Sequence, residues 1–181
     1  MQPMARPITD TPAARALCEE LAPGGAPVLV PVNPAPRATV NDCFPTVARV
    51  VDDHGGGAEY GWVLWETLPG VMIEAEFHAI WKSDSGNRVD VTPKTFPMDQ
   101  IAFLPDPTAS YDGRQVDNVR RPLVNDVLVK RFIETAESYY EATNRGELAD
   151  YHGLLKLTPE MQAIRSRLTQ LQVEILRKYY S

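Results

Sequence analysis

Cys43 follows Asn41-Asp42 where a helical pattern begins, which places its thiol in the first turn of a helix. Unpaired backbone N–H groups and the positive end of the helix dipole gather there and stabilise a thiolate, the reactive form of cysteine. His78 lies 35 residues further on, and Asp90 another 12. The stretch carrying His78 alternates: Val71, Ile73, Ala75, Phe77, Ala79 and Trp81 face one way, and Glu74, Glu76, His78 and Lys82 mostly the other. The turn cluster Ser83-Asp84-Ser85-Gly86-Asn87 joins that strand to a second one, Arg88 to Thr92, in a hairpin. An odd-numbered turn puts His78 and Asp90 on one face, with stems ~4.5–8 Å apart, whereas an even-numbered turn swings one of them away. In the odd register Asp90 holds the imidazole tautomer and the other ring nitrogen meets a sulfur. A thiol so paired attacks a carbonyl and passes through a thioester.

Other readings compete for the same residues. A buried structural thiol is the commoner fate of an intracellular cysteine, and a histidine on the polar face of a strand is usually just solvated. Cys43 and His78, with Asp90, Glu76 and His54, are zinc ligand types, but no C-x-x-C or H-x-x-x-H pair anchors a metal, so none is expected. Glu74 and Glu76 read as a solvated face rather than a glycosidase pair, and Glu76 is placed to border a cleft and favour cationic or amide substrates. Trp62 reads as core or cleft wall. The oxyanion donors are expected to be the Cys43 N–H and, as a weaker candidate, the Asn41 side chain. His54 beside Gly55 suits a helix C-terminus, and His152 falls in an interhelical loop.

The elements that must position these groups follow from punctuation and periodicity. Thr11-Pro12 opens a helix running to Leu21, and Val28 to Val32 is an edge strand bounded by prolines. The Cys43 helix runs to about His54 with a buried stripe of Phe44, Val47, Ala48 and Val51, and Gly55-Gly56-Gly57 ends it. Ala58 to Glu66 is a strand with Tyr60, Trp62 and Leu64 on one face. After Pro93 the chain reads as loop containing a short apolar run, Ile101 to Leu104. Helix resumes near Leu123 and lasts to about Asn144, with Val129, Phe132, Ile133, Ala136 and Tyr140 on one side. Thr158-Pro159-Glu160 starts a last helix striped by Met161, Ile164, Leu168, Leu171 and Ile175.

The order of helix-borne Cys, strand-borne His and next-strand Asp resembles the transglutaminase-like branch of the papain-like cysteine enzymes. The residues carrying the resemblance are Asn41-Asp42-Cys43-Phe44, Gly61-Trp62-Val63-Leu64, Phe77-His78-Ala79-Ile80-Trp81 and Val89-Asp90-Val91-Thr92-Pro93. It covers about positions 38 to 95, with Trp81 one residue later than the family's tryptophan and Val91 inserted between Asp and Thr. The resemblance implies a nucleophile at Cys43, a general base and acid at His78, and an orienting carboxylate at Asp90.

Composition bounds the rest. A length of 181 residues suits one compact domain with a helical appendage, and 44% apolar residues suffice for a core. A net charge of −6 with no basic cluster argues against nucleic acid as a partner. No stretch reaches the ~18 apolar residues of a membrane span. Acidic residues Asp10, Glu19 and Glu20 interrupt any export signal, so a cytoplasmic protein with Cys18 and Cys43 as free thiols is expected.

The expected fold is α+β: a Pro-rich segment with a short helix (1–36), a papain/transglutaminase-like core with the Cys helix on a small antiparallel sheet (37–122), and a C-terminal helical extension (123–181). The expected activity is cofactor-free hydrolysis or acyl transfer on a peptide, protein or small amide substrate. The alternatives are an interaction protein on a retired enzyme fold and a zinc protein using Cys43 and His78. The C-terminal helices are candidates for a homodimer contact.

Overall fold

The computed structural model describes residues 6–8, 10–95, 98–151 and 155–181; His152 lies outside them. Four α-helices and seven strands are found among the described residues, an α+β fold. In chain order they are β1 (Arg6–Pro7), α1 (Pro12–Leu21), β2 (Val28–Pro31), α2 (Cys43–His54), β3 (Gly57–Leu68), β4 (Met72–Lys82), β5 (Arg88–Val89), β6 (Gln100–Pro105), β7 (Val119–Pro122), α3 (Val127–Thr143) and α4 (Pro159–Tyr180). The strand order is β2-β6-β3-β4-β5, with β1 paired to β3 and β7 to β4.

The chain divides into two compact bodies. One comprises Pro7–Trp65 and Ala75–Tyr111, and the other contains Glu66–Glu74 and Asp112–Ser181. In the first, β6 pairs antiparallel with β2 (Val30↔Ile101) and with β3 (Trp62↔Leu104). Ile101 to Leu104 was expected in loop, but all four residues are buried, and hydrogen bonding on both sides makes β6 an inner strand. The prolines around it sit outside or at the strand end, where a missing N–H costs little. Val30, Val63, Trp65, Ile80, Ile101 and Phe103 form one core cluster. On the other side of β4, Ala79 joins Val47, Val50 and Val91 in a second, so α2 is held by its apolar stripe. Each fully buried aliphatic side chain stabilises this by ~1.5–3 kcal/mol.

Three expectations are corrected here. Ala48 is exposed, and the buried stripe of α2 is Cys43, Thr46, Val47 and Val50: the helix rolls so that its first residue points inward. The second face of β4 is covered rather than solvated, with His78 only 2% exposed. The strand predicted over 88–92 pairs with β4 only at Trp81↔Val89 and Lys82↔Arg88. From Asp90 onward that chain leaves β4 and lies parallel to the segment after β2, with the Asp90 N–H donating to Pro31 O and Asn33 N–H donating to Asp90 O.

The second body contains α3 and α4. Helix α3 begins at Val127, four residues later than the periodicity predicts, because Asp126 caps it by accepting from the Leu128 N–H at 2.9 Å. Thr158 caps α4 ahead of Pro159, as its sequence suggests. Leu68, Val71 and Met72 pack with Val129, Ile133 and Ile175 in its core. No helix among the described residues is long and apolar enough to cross a membrane.

Candidate active site

Cys43 is the first residue of α2 and is buried. Asp42 stands at the cap position without a side-chain cap bond and instead accepts from the Thr39 hydroxyl at 3.3 Å. The Cys43 N–H, in the first turn, has no intrahelical acceptor. Asn41 is exposed and adopts φ +64°, a left-handed conformation that asparagine tolerates and that turns the chain into the helix.

The loop between β4 and β5 contains five residues, 83 to 87, since Lys82 pairs with Arg88. Its odd length puts positions 78 and 90 on the same side of the hairpin. His78 Nε2 lies 3.2 Å from Asp90 Oδ1, with Asp90 fully buried. The Cys43 side chain adds to the electrostatics of the same ring, favouring its protonated form. With Nε2 facing Asp90, the remaining ring nitrogen is Nδ1, which is buried and has no hydrogen-bond partner among the described residues. His78 from a central strand and Asp90 from the residue after β5 thus meet at one imidazole, whose charge the side chain of Cys43 at the start of α2 also favours.

The electrostatics of that ring are a balance. Burial disfavours the imidazolium, but the hydrogen bond of Asp90 and the influence of the Cys43 side chain outweigh it, raising the pKa to about 9 against a lowering contribution from Lys94. Burial likewise pushes Asp90 upward, yet the hydrogen bond and charge of His78, with the charge of Lys94, leave its carboxyl below the ordinary range. Asp90 Oδ1 also accepts from the Thr92 N–H at 3.0 Å, which fixes the carboxylate against its own loop.

One neighbour escaped the sequence reading. Lys94, four residues after Asp90 and beyond Pro93, brings its ammonium to 2.5 Å from Asp90 Oδ2 and 3.3 Å from His78 Nε2. The only sequence signal for it is the i,i+4 charge spacing, which means little outside a helix. Trp65 donates its indole N–H to Glu76 Oε2 at 3.3 Å, leaving Glu76 Oε1 4.0 Å from His78 Nδ1. Glu76 is thus the carboxylate on the Nδ1 side of the ring, and it is partly exposed.

Beside Cys43, Phe44 stacks on Tyr111 with centroids 3.7 Å apart and packs against Phe77 at 5.6 Å. Trp62 packs on the same Phe77 at 5.3 Å and directs its indole N–H to Asp106 Oδ2 at 3.5 Å. Trp62, read from the sequence as core or cleft wall, is therefore part of an aromatic group built on Phe77 and on Phe44, the residue after Cys43. Cys18, the other free thiol, is buried in α1, and burial raises its pKa. Among the described residues no three His, Cys, Asp or Glu side chains are disposed to hold a metal ion.

No protein-family model, no curated protein and no solved structure matches this chain.

Proposed function

We propose that this chain is a thiol-dependent amide hydrolase or acyltransferase working through a Cys43-His78-Asp90 triad, on a core of papain or transglutaminase type. The observation that carries the reading is the buried imidazole of His78, with Asp90 Oδ1 at 3.2 Å from Nε2 and a buried Nδ1 without a hydrogen-bond partner among the described residues. A carboxylate on one nitrogen sets the tautomer that lets the other exchange a proton with sulfur.

The chemistry balances with these groups alone. The Cys43 proton moves to His78 Nδ1, and the sulfur adds to the substrate carbonyl carbon. The first-turn N–H of Cys43 stabilises the oxyanion. The C–N bond then breaks, with the imidazolium giving its proton to the departing amine and leaving a thioester. Water or a second amine, deprotonated by His78, attacks that thioester and releases the sulfur. Glu76, on the Nδ1 side of the ring, and the aromatic group of Phe44, Trp62 and Tyr111 favour an amine or amide carried near an apolar group.

The test is site-resolved alkylation of Cys18 and Cys43 by iodoacetamide between about pH 4 and 9, in the wild type and in His78→Ala. Cys43 is expected to react at acid pH, where an ordinary thiol of pKa ~8.5 scarcely does, and to lose that reactivity without His78. A Cys43 that stays inert in the folded protein at every pH sinks the triad and leaves the fold as a non-catalytic scaffold.

A further inference from the structure

We propose that Lys94 is a positioning residue for this site: its ammonium clamps the free oxygen of Asp90 and stands as a fixed like charge against the imidazolium of His78. This rests on the thiol acyl-transfer reading given above. The geometry is specific. Asp90 divides its carboxylate, with Oδ1 toward His78 Nε2 at 3.2 Å and Oδ2 toward Lys94 Nζ at 2.5 Å. The Thr92 N–H on Oδ1 and the ammonium on Oδ2 leave the carboxylate no freedom to rotate away from the ring. The Lys94 side chain is only 11% exposed, so water screens its charge little.

An ammonium has no lone pair and cannot accept the Nε2 proton. At 3.3 Å from that nitrogen it opposes the doubly protonated ring, whereas Asp90, Glu76 and the Cys43 thiolate all favour it. Three anionic partners alone would hold His78 as a permanent imidazolium, able to return a proton but not to take one. A fourth, cationic neighbour works against that hold and makes the proton easier to give up, the direction that general acid–base work needs. The same ammonium keeps Asp90 ionised, so the orienting carboxylate does not titrate along with the ring it orients.

The experiment follows the His78 ring protons by NMR across pH in the wild type, Lys94→Gln and Lys94→Arg. Loss of the charge in Lys94→Gln is expected to move the His78 midpoint upward by ~1 pH unit or more, while Lys94→Arg keeps it near the wild-type position. A midpoint in Lys94→Gln that stays put or falls overturns the proposal. Should that variant not fold, the wild type suffices. The Lys94 Cε resonance is expected to step at the His78 midpoint, and a resonance indifferent to it also overturns the proposal. Alkylation of Cys43 in the same samples separates the two ideas, because an inert thiol beside the expected His78 shift removes the acyl-transfer reading alone.

Discussion

Asp90 Oδ1 stands 3.2 Å from His78 Nε2, and the backbone of the same aspartate is hydrogen-bonded to neither β4 nor its own hairpin but to Pro31 and Asn33. Asp90 is therefore held from two directions: its side chain by the ring, Thr92 and Lys94, and its main chain by Pro31 and Asn33. Pairing of β5 with β4 stops at Val89, and the divergence opens the space that the imidazole and carboxylate fill.

Replacing Asp90 tests that arrangement. In Asp90→Asn the His78 midpoint is expected to drop by ~1–3 pH units, since the opposite charge that favours the imidazolium is gone. The alkylation rate of Cys43 near neutral pH should fall at least ~10-fold with it. An unchanged midpoint would mean that the thiol, not the carboxylate, governs the ring.

Stability should depend on pH with a defined sign. The folded pKa of His78 is raised from 6.5 to about 9, so its contribution is fully present below the unfolded value and is lost as pH rises through about 9. Asp90 is lowered from 3.8, so its contribution holds above that value and is lost as pH falls through the folded one. Thermal melts of the wild type should decline on the alkaline side, and His78→Gln should flatten that decline. A wild-type Tm that rises from neutral to alkaline pH would contradict the assignment.

The close contact of β3 and β6 is measurable at Gly61, where an added Cβ would come within 2.2 Å of Leu104 O and 2.8 Å of the Phe103 ring. Gly61→Ala should cost ~1–3 kcal/mol by overpacking. Phe103→Ala, which empties a fully buried position, should cost ~3–5 kcal/mol. Denaturant titration gives both values, and a neutral Gly61→Ala would show that the strands separate easily.

In the second body, Asp126 caps α3 and also accepts from Lys178 Nζ at 2.7 Å and the Tyr179 hydroxyl at 2.5 Å. The Lys178 and Tyr179 hydrogen bonds, with the Leu128 N–H, hold its carboxyl at about 2. Asp126→Ala is expected to speed hydrogen exchange in the last turn of α4 as well as the first turn of α3. Because its pKa is depressed, the tie persists above the ordinary 3.8 and weakens as pH falls toward 2. Exchange that accelerates in α3 alone would separate the cap from the helix–helix tie.

The local signals in the sequence carried far. Thr11-Pro12 and Thr158-Pro159 mark helix starts that the structure has at those residues, because caps are written within four residues of chain. The five-residue turn before Arg88 is legible for the same reason. What eluded reading depends on distant chain. Burial of His78 on the second face of β4 is set by residues far away in the chain, Asp90 and Lys94 among them, and β6 looked like loop because prolines flank an apolar run too short to have a period. The late start of α3 follows from Asp126, whose cap is strengthened by the far end of α4. Lys94 was invisible because its partner relation crosses a proline-containing loop with no regular spacing.

The anchoring of Asp90 to Pro31 and Asn33 has a consequence for the time at which the site comes into being. Strand β2, which leads into that anchor, is itself held by β6, with Val30 opposite Ile101. A chain emerging from the ribosome exposes Cys43 early and His78 soon after, yet the dock for Asp90 has no backing until residues as late as Pro105 are out. Non-local pairing of that kind is the slow step in assembling a sheet. The nascent protein thus carries the Cys43 thiol without a docked Asp90 while residues 44 to 105 are made, and the His78–Asp90 pair is completed only when the body that buries it closes.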